Sequence, residues 1–124
     1  MRNKISLSHI FIDCKDPQQL QEFYHGLTGL EKCIMYDSPG LIVNENLMIL
    51  FLACDFDYIP PVWPEKAGRQ QKQMHLDFAV EDLESAVAEA VRLGAVKAPD
   101  QYGGNLWVTL FDPEGHPFCL GVDE

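Results

Sequence analysis

One pattern occurs twice in this chain, and it constrains the fold more than any other feature. His9-Ile10-Phe11-Ile12-Asp13-Cys14-Lys15-Asp16 is matched by His75-Leu76-Asp77-Phe78-Ala79-Val80-Glu81-Asp82, so each copy sets a histidine seven residues before an aspartate. Each aspartate opens a stretch of helical periodicity that closes on a glycine, Gly29 in one copy and Gly94 in the other. The copies lie 66 residues apart, too far for a solenoid of small repeats and the right distance for a duplicated half-domain. A chain of 124 residues has room for one hydrophobic core of ordinary size rather than two. The halves are therefore expected to share a core, and the duplication is expected to bring two equivalent histidines to one cavity.

Within each copy the periodicity gives the same order of elements. Ser6–Asp13 alternates as a strand, with Ile10 and Ile12 on one face and His9, Phe11 and Asp13 on the other. Asp16 caps a helix with Pro17 at its first position, and Leu20, Phe23, Tyr24 and Leu27 recur at helical spacing before Gly29. Three strands follow, Glu31–Tyr36, Leu41–Asn44 and Leu47–Ala53, separated by Ser-Pro-Gly and Asn-Glu-Asn turns. In the second copy Gln73–Val80 alternates, with Met74, Leu76, Phe78 and Val80 apolar against Gln73, His75, Asp77 and Ala79. Asp82 then caps Leu83–Leu93, Gly94 ends it, and strands follow at Ala95–Pro99, Leu106–Phe111 and Pro117–Gly121. The expected fold is α+β: two tandem βαβββ units, 5–54 and 73–122, in a single domain, joined by a proline-rich connector at 55–72.

The net charge of −10 would repel a phosphate backbone or an anionic membrane, which argues against nucleic-acid and membrane partners and suits a neutral or cationic small molecule. An acidic surface also serves solubility alone. No apolar run approaches a membrane span, and Met1-Arg2-Asn3-Lys4-Ile5-Ser6 lacks a signal-peptide core, so a cytoplasmic protein is expected. Cys14, Cys33, Cys54 and Cys119 show no CxxC spacing and read as reduced thiols.

The paired units, Phe23-Tyr24 late in the first helix and the terminal Asp112-Pro113-Glu114-Gly115-His116-Pro117-Phe118 turn resemble the vicinal-oxygen-chelate superfamily, which holds the glyoxalases, bleomycin-resistance proteins and extradiol dioxygenases. Pro60-Pro61-Val62-Trp63-Pro64 followed by Met74-His75-Leu76-Asp77-Phe78 looks most like its branch of small glyoxalase-like proteins. The resemblance implies two half-barrels around a divalent cation, with ligands from the first and fourth strand of each unit. His9 and His75 fall on first-strand positions, while Cys119 stands where a glutamate is usual and Leu50 or Leu52 occupies the remaining position. Two imidazoles without a carboxylate suit Mg²⁺, Mn²⁺ or Ni²⁺ poorly, whereas His9, His75 and Cys119 form a three-ligand set that suits Zn²⁺.

Each of these residues also has a plainer reading. His9 and His75 are either pocket residues or inherited core histidines, and their equivalent positions favour the pocket. Asp77, two residues beyond His75, is either a catalytic acid or base or a rim residue. Cys119 is by default a small buried filler. Phe11, Trp63 and Trp107 could line a pocket for a planar ligand, although alternation along Trp107, Thr109 and Phe111 also suits core packing. Trp63 lies in a segment where core packing is not demanded, which points to a ligand lid or a dimer contact. Tyr102-Gly103-Gly104-Asn105 reads as a flexible loop at the pocket mouth or as a simple turn. Two functions follow: a glyoxalase-like enzyme with metal-dependent isomerase, lyase or dioxygenase chemistry on a small oxygenated substrate, or a non-catalytic protein that sequesters an antibiotic. A homodimer is expected, since strand edges invite pairing and two-fold dimers are common.

Overall fold

The computed structural model describes residues 3–122, so the N-terminal reading lies partly outside the described residues. The chain divides between Tyr58 and Ile59 into two compact units, each holding one sheet of four strands. The first unit contains β1 (His9–Cys14), α1 (Pro17–Thr28), β2 (Lys32–Met35), β3 (Ser38–Asn44) and β4 (Leu47–Ala53). The second contains β5 (Leu76–Ala79), α2 (Leu83–Leu93), β6 (Val96–Lys97), β7 (Trp107–Phe111) and β8 (Pro117–Gly121). Strand order is β1-β4-β3-β2 in one sheet and β5-β8-β7-β6 in the other, so the expected βαβββ unit is present twice. In each, a helix separates the first two strands, and the first strand pairs parallel with the last, β1 with β4 and β5 with β8.

The caps form as the sequence requires. The Asp16 carboxylate accepts from the Gln19 N–H, Pro17 opens α1, and Gly29 closes it at φ 74°. Asp82 accepts from the Ser85 N–H in the same way, and Gly94 follows α2. In the first unit Tyr24 of α1 stacks on Phe51 at 5.8 Å, and Phe51 is the register partner of Ile12. Ile10 and Ile12 thus share the helix-covered face, as the alternation predicts. In the second unit Leu110, Phe118 and Leu120 are fully buried on the same face as Leu76 and Phe78. Each such side chain contributes about 1.5–3 kcal/mol.

Three segments differ from expectation. The β2–β3 turn falls on Tyr36-Asp37, both at positive φ, rather than on Ser38-Pro39-Gly40. Two central residues at positive φ match the twist of a hairpin, and Gly40 is needed inside β3, where a Cβ would overlap the Ile49 carbonyl and the Leu50 side chain. The strand expected from Gln73 begins only at Leu76, because Gln73 turns at φ 60°, so Met74 is exposed and His75 stands just before the strand. Trp63 and Val62 are half-buried rather than exposed: Trp63 packs edge-on against Tyr102 at 5.8 Å and Phe111 at 6.3 Å, and the Val62 N–H bonds the Gln70 carbonyl. Ile59 in the same segment is exposed. Among the described residues no helix is long and apolar enough to cross a membrane.

Candidate functional site

In the second unit the parallel pairing sets Asp77 beside Cys119, and Thr109 of β7 lies across β8 from that cysteine. Side chains at these laterally paired positions share one face of the sheet, the face opposite the buried Phe118 and Leu120. His75 Nε2 lies 3.0 Å from an Asp77 carboxylate oxygen, and Thr109 Oγ1 lies 3.3 Å from Cys119 Sγ. One ligand atom each from His75, Asp77 and Cys119 falls within 4.8 Å of the others. A nitrogen, an oxygen and a sulfur donor are thereby gathered on an accessible surface. His75 and Asp77 are exposed and Cys119 is half-buried.

Burial pushes the Cys119 thiol above its ordinary range; the Thr109 hydroxyl pulls it back, and the charge of Asp77 and its hydrogen bond to the thiol raise it further. Free Cys119 is therefore a neutral thiol near pH 7, which makes it a poor nucleophile unless something displaces its proton. Asp77→Asn removes the raising charge while keeping an acceptor for the thiol. In protein held in EDTA, iodoacetamide should modify Cys119 faster in that variant, since a lower pKa raises the thiolate fraction at neutral pH. An unchanged rate, followed by peptide mass spectrometry, would show that Asp77 does not govern the thiol.

Beside this polar end stands an aromatic wall. Trp107 and Phe111 flank Thr109 on β7, and the edge contacts of Trp63 extend the wall over Phe111 to Tyr102. The floor is the small-residue row of β8, Pro117, Cys119 and Gly121, with Trp107 the register partner of Gly121, where a Cβ would meet the Trp107 Cβ at 3.3 Å. Tyr102-Gly103-Gly104-Asn105 is not a free flap. Gly103 is buried where a Cβ would overlap the Trp107 indole and carbonyl, and the Gln101 side chain holds the Ala98 and Thr109 carbonyls and the Thr109 N–H.

In the first unit His9, Phe11 and Asp13 share a face with Met48, Leu50 and Leu52 through the β1–β4 register, so β4 offers that face only apolar side chains. His9 Nε2 lies 3.2 Å from the Met35 sulfur and Nδ1 lies 2.8 Å from the Ser8 hydroxyl, which engages both ring nitrogens. Tyr36 meets His9 edge-on at 5.6 Å and lies 6.5 Å from Phe11. Sequence spacing places Asp77 near His75 but not beside Cys119. Only the lateral pairing of two strands some forty residues apart supplies that neighbour, and with it the carboxylate that the fourth-strand positions lack.

A family model described as a glyoxalase-like domain matches residues 9–121. The chain belongs to the glyoxalase-like domain family. Solved structures of the vicinal-oxygen-chelate superfamily share its fold. A glyoxalase/bleomycin resistance protein/dioxygenase family enzyme from Burkholderia phytofirmans PsJN is 21% identical, with 95% of this chain and 98% of that one covered and a TM-score of 0.66. The fosfomycin resistance protein FosX from Listeria monocytogenes is 16% identical over 98% and 94%, with a TM-score of 0.69. A glyoxalase/bleomycin resistance protein from Albidiferax ferrireducens T118 is 15% identical over 95% and 98%, with a TM-score of 0.68. At these identities the likeness establishes the fold of this glyoxalase-like chain. No curated protein matches it.

Proposed function

We propose that this glyoxalase-like protein binds a small organic molecule on the open face of the second unit's sheet, with His75, Asp77 and Cys119 at the polar end and Trp63, Trp107 and Phe111 as the wall. The observation that carries this reading is the coexistence, on the face of the sheet turned away from Phe118 and Leu120, of three gathered polar groups, two of them exposed, and an aromatic wall whose Trp107 is exposed and whose Trp63 and Phe111 are half-buried. Convergent polar groups beside apolar walls are what orient a ligand. The chain has two tryptophans, both in the wall, so its two indole N–H resonances form a direct reporter. Titration with small aromatic compounds should shift both signals saturably. Compounds that bind elsewhere, leaving both indoles unmoved, would defeat the reading.

A second reading, a metal-assisted lyase, isomerase or dioxygenase, is favoured by the trio itself. Imidazole, carboxylate and thiol suit Zn²⁺, and His75, Asp77 and Cys119 would hold it with a coordination position open for substrate. The ion would supply Lewis-acid polarisation of a substrate oxygen. The residues themselves orient the ligand, with His75 braced by Asp77. Cobalt(II) added to untagged protein should give a near-ultraviolet sulfur-to-cobalt absorption band that disappears in Cys119→Ser and weakens in His75→Ala. The band surviving in Cys119→Ser would place the metal elsewhere. Turnover that requires the metal would select the enzyme, and ligand binding without turnover the sequestering protein.

The same reading takes the protein as a cytoplasmic homodimer. None of its four cysteines is in a disulfide, as suits a reducing compartment, and β2 is an edge strand that exposes Ile34. Light scattering at micromolar concentration should return twice 14.0 kDa, and a monomer mass would exclude the dimer.

A further inference from the structure

Resting on the binding reading above, we infer that the ligand is a flat, fused-ring compound carrying a positive charge, a protonated nitrogen heterocycle rather than a phosphonate or carboxylate. The charge follows from what the face holds. Across β5, β8 and β7 its row contains one carboxylate, Asp77, exposed and with one oxygen 3.0 Å from His75 Nε2, and no lysine or arginine. Lys97 of β6 pairs with Leu110 and so belongs to the opposite face, and Arg92 of α2 is paired with Glu89. An anion entering this face would meet a carboxylate and find no lysine or arginine on the sheet to pair with, within a chain of net charge −10. A cation gains from Asp77 and from the faces of the indole and phenyl rings.

The shape follows from spacing. Asp77 on β5 is separated from the wall on β7 by β8, and adjacent strands lie about 4.8 Å apart, so acid and wall stand roughly 10 Å apart across a floor of small residues. A two- or three-ring system lying over Cys119 and Gly121 spans that distance, with one edge against Trp63, Trp107 and Phe111 and its charged nitrogen at Asp77. Gly103 leaves room for the Trp107 indole to stand as part of the wall, since a side chain there would overlap the ring.

Three tricyclic probes separate charge from shape: cationic 9-aminoacridine, neutral acridine and anionic anthracene-9-carboxylate. Binding is measured from the two indole N–H resonances, in EDTA so that no metal occupies Asp77. The cation should bind about tenfold more tightly than acridine and the carboxylate more weakly than either, a tenfold step being about 1.4 kcal/mol. Asp77→Asn should bring 9-aminoacridine to the affinity of acridine, and Trp63→Leu should weaken all three alike. If the three bind equally, or if the cation keeps its advantage in Asp77→Asn, the charge assignment is overturned while the binding face stands. If none moves the indole signals, the face itself is wrong. Folding of each variant is checked by its dispersed amide spectrum, and Glu84→Gln on α2 serves as a charge control expected to leave the preference intact.

Discussion

Asp112→Ala should lower the unfolding free energy by about 3 kcal/mol, because it strips the acceptor from three donors at once. The Asp112 side chain has no exposure, and Oδ1 accepts from the Glu114 N–H at 2.9 Å and from the His116 N–H at 3.0 Å. The carboxylate also lies 2.8 Å from the His116 ring nitrogen. These contacts hold the Asp112–His116 turn, in which Gly115 adopts φ 90° and its N–H bonds the Asp112 carbonyl. The turn delivers the chain into β8, which is the floor of the proposed site. Asn in place of Asp keeps an acceptor for the two backbone donors and loses the charge, so Asp112→Asn should cost about half as much. Urea unfolding would show a lower midpoint with an unchanged slope for Asp112→Ala. A loss under about 0.5 kcal/mol would mean that solvent replaces the carboxylate without penalty.

Gly40→Ala should be comparably damaging, at about 3 kcal/mol, from one added methyl group. Gly40 is buried in β3 and pairs with Leu50 of β4, where a Cβ would overlap both the Ile49 carbonyl oxygen and the Leu50 side chain. A leucine methyl can rotate away, but a backbone carbonyl bonded in the sheet cannot. The Gly40 carbonyl also accepts from Gln21 Nε2, which donates to the Cys33 carbonyl as well, so a shift of β3 disturbs the tie from α1 to the sheet. Gly29→Ala makes the contrast. There a Cβ meets nothing within 4 Å, and the cost is the left-handed backbone at φ 74° alone, about 1 kcal/mol. Equal losses in the two variants, read from thermal unfolding, would mean that crowding at Gly40 is relieved by movement of the strands.

Much of the fold was legible because its determinants are local. An aspartate cap, Pro17 and a closing glycine specify a helix from adjacent residues, and alternation specifies which side chains share a face whatever the strand's neighbours are. The hairpin at Tyr36-Asp37 was read wrongly because Ser-Pro-Gly carries the stronger turn composition. Tyrosine and aspartate adopt positive φ there under the constraint of strands already paired. The packing of Trp63 was not legible for a similar reason. Proline composition marks its segment as a loop, but the rings it packs against, Tyr102 and Phe111, come from 39 and 48 residues further along.

By itself the sequence determined the duplicated βαβββ order, the helix limits, the two faces of each first strand and the family, since periodicity and spacing carry all of these. Only the tertiary structure decided that Asp77 stands between His75 and Cys119, that Trp63 joins Phe111 in a wall, and that Gly40 sits within a strand. Those facts depend on which strands pair and in what register. A one-residue slip of β8 against β5 would turn Cys119 to the buried face without changing a letter of the sequence.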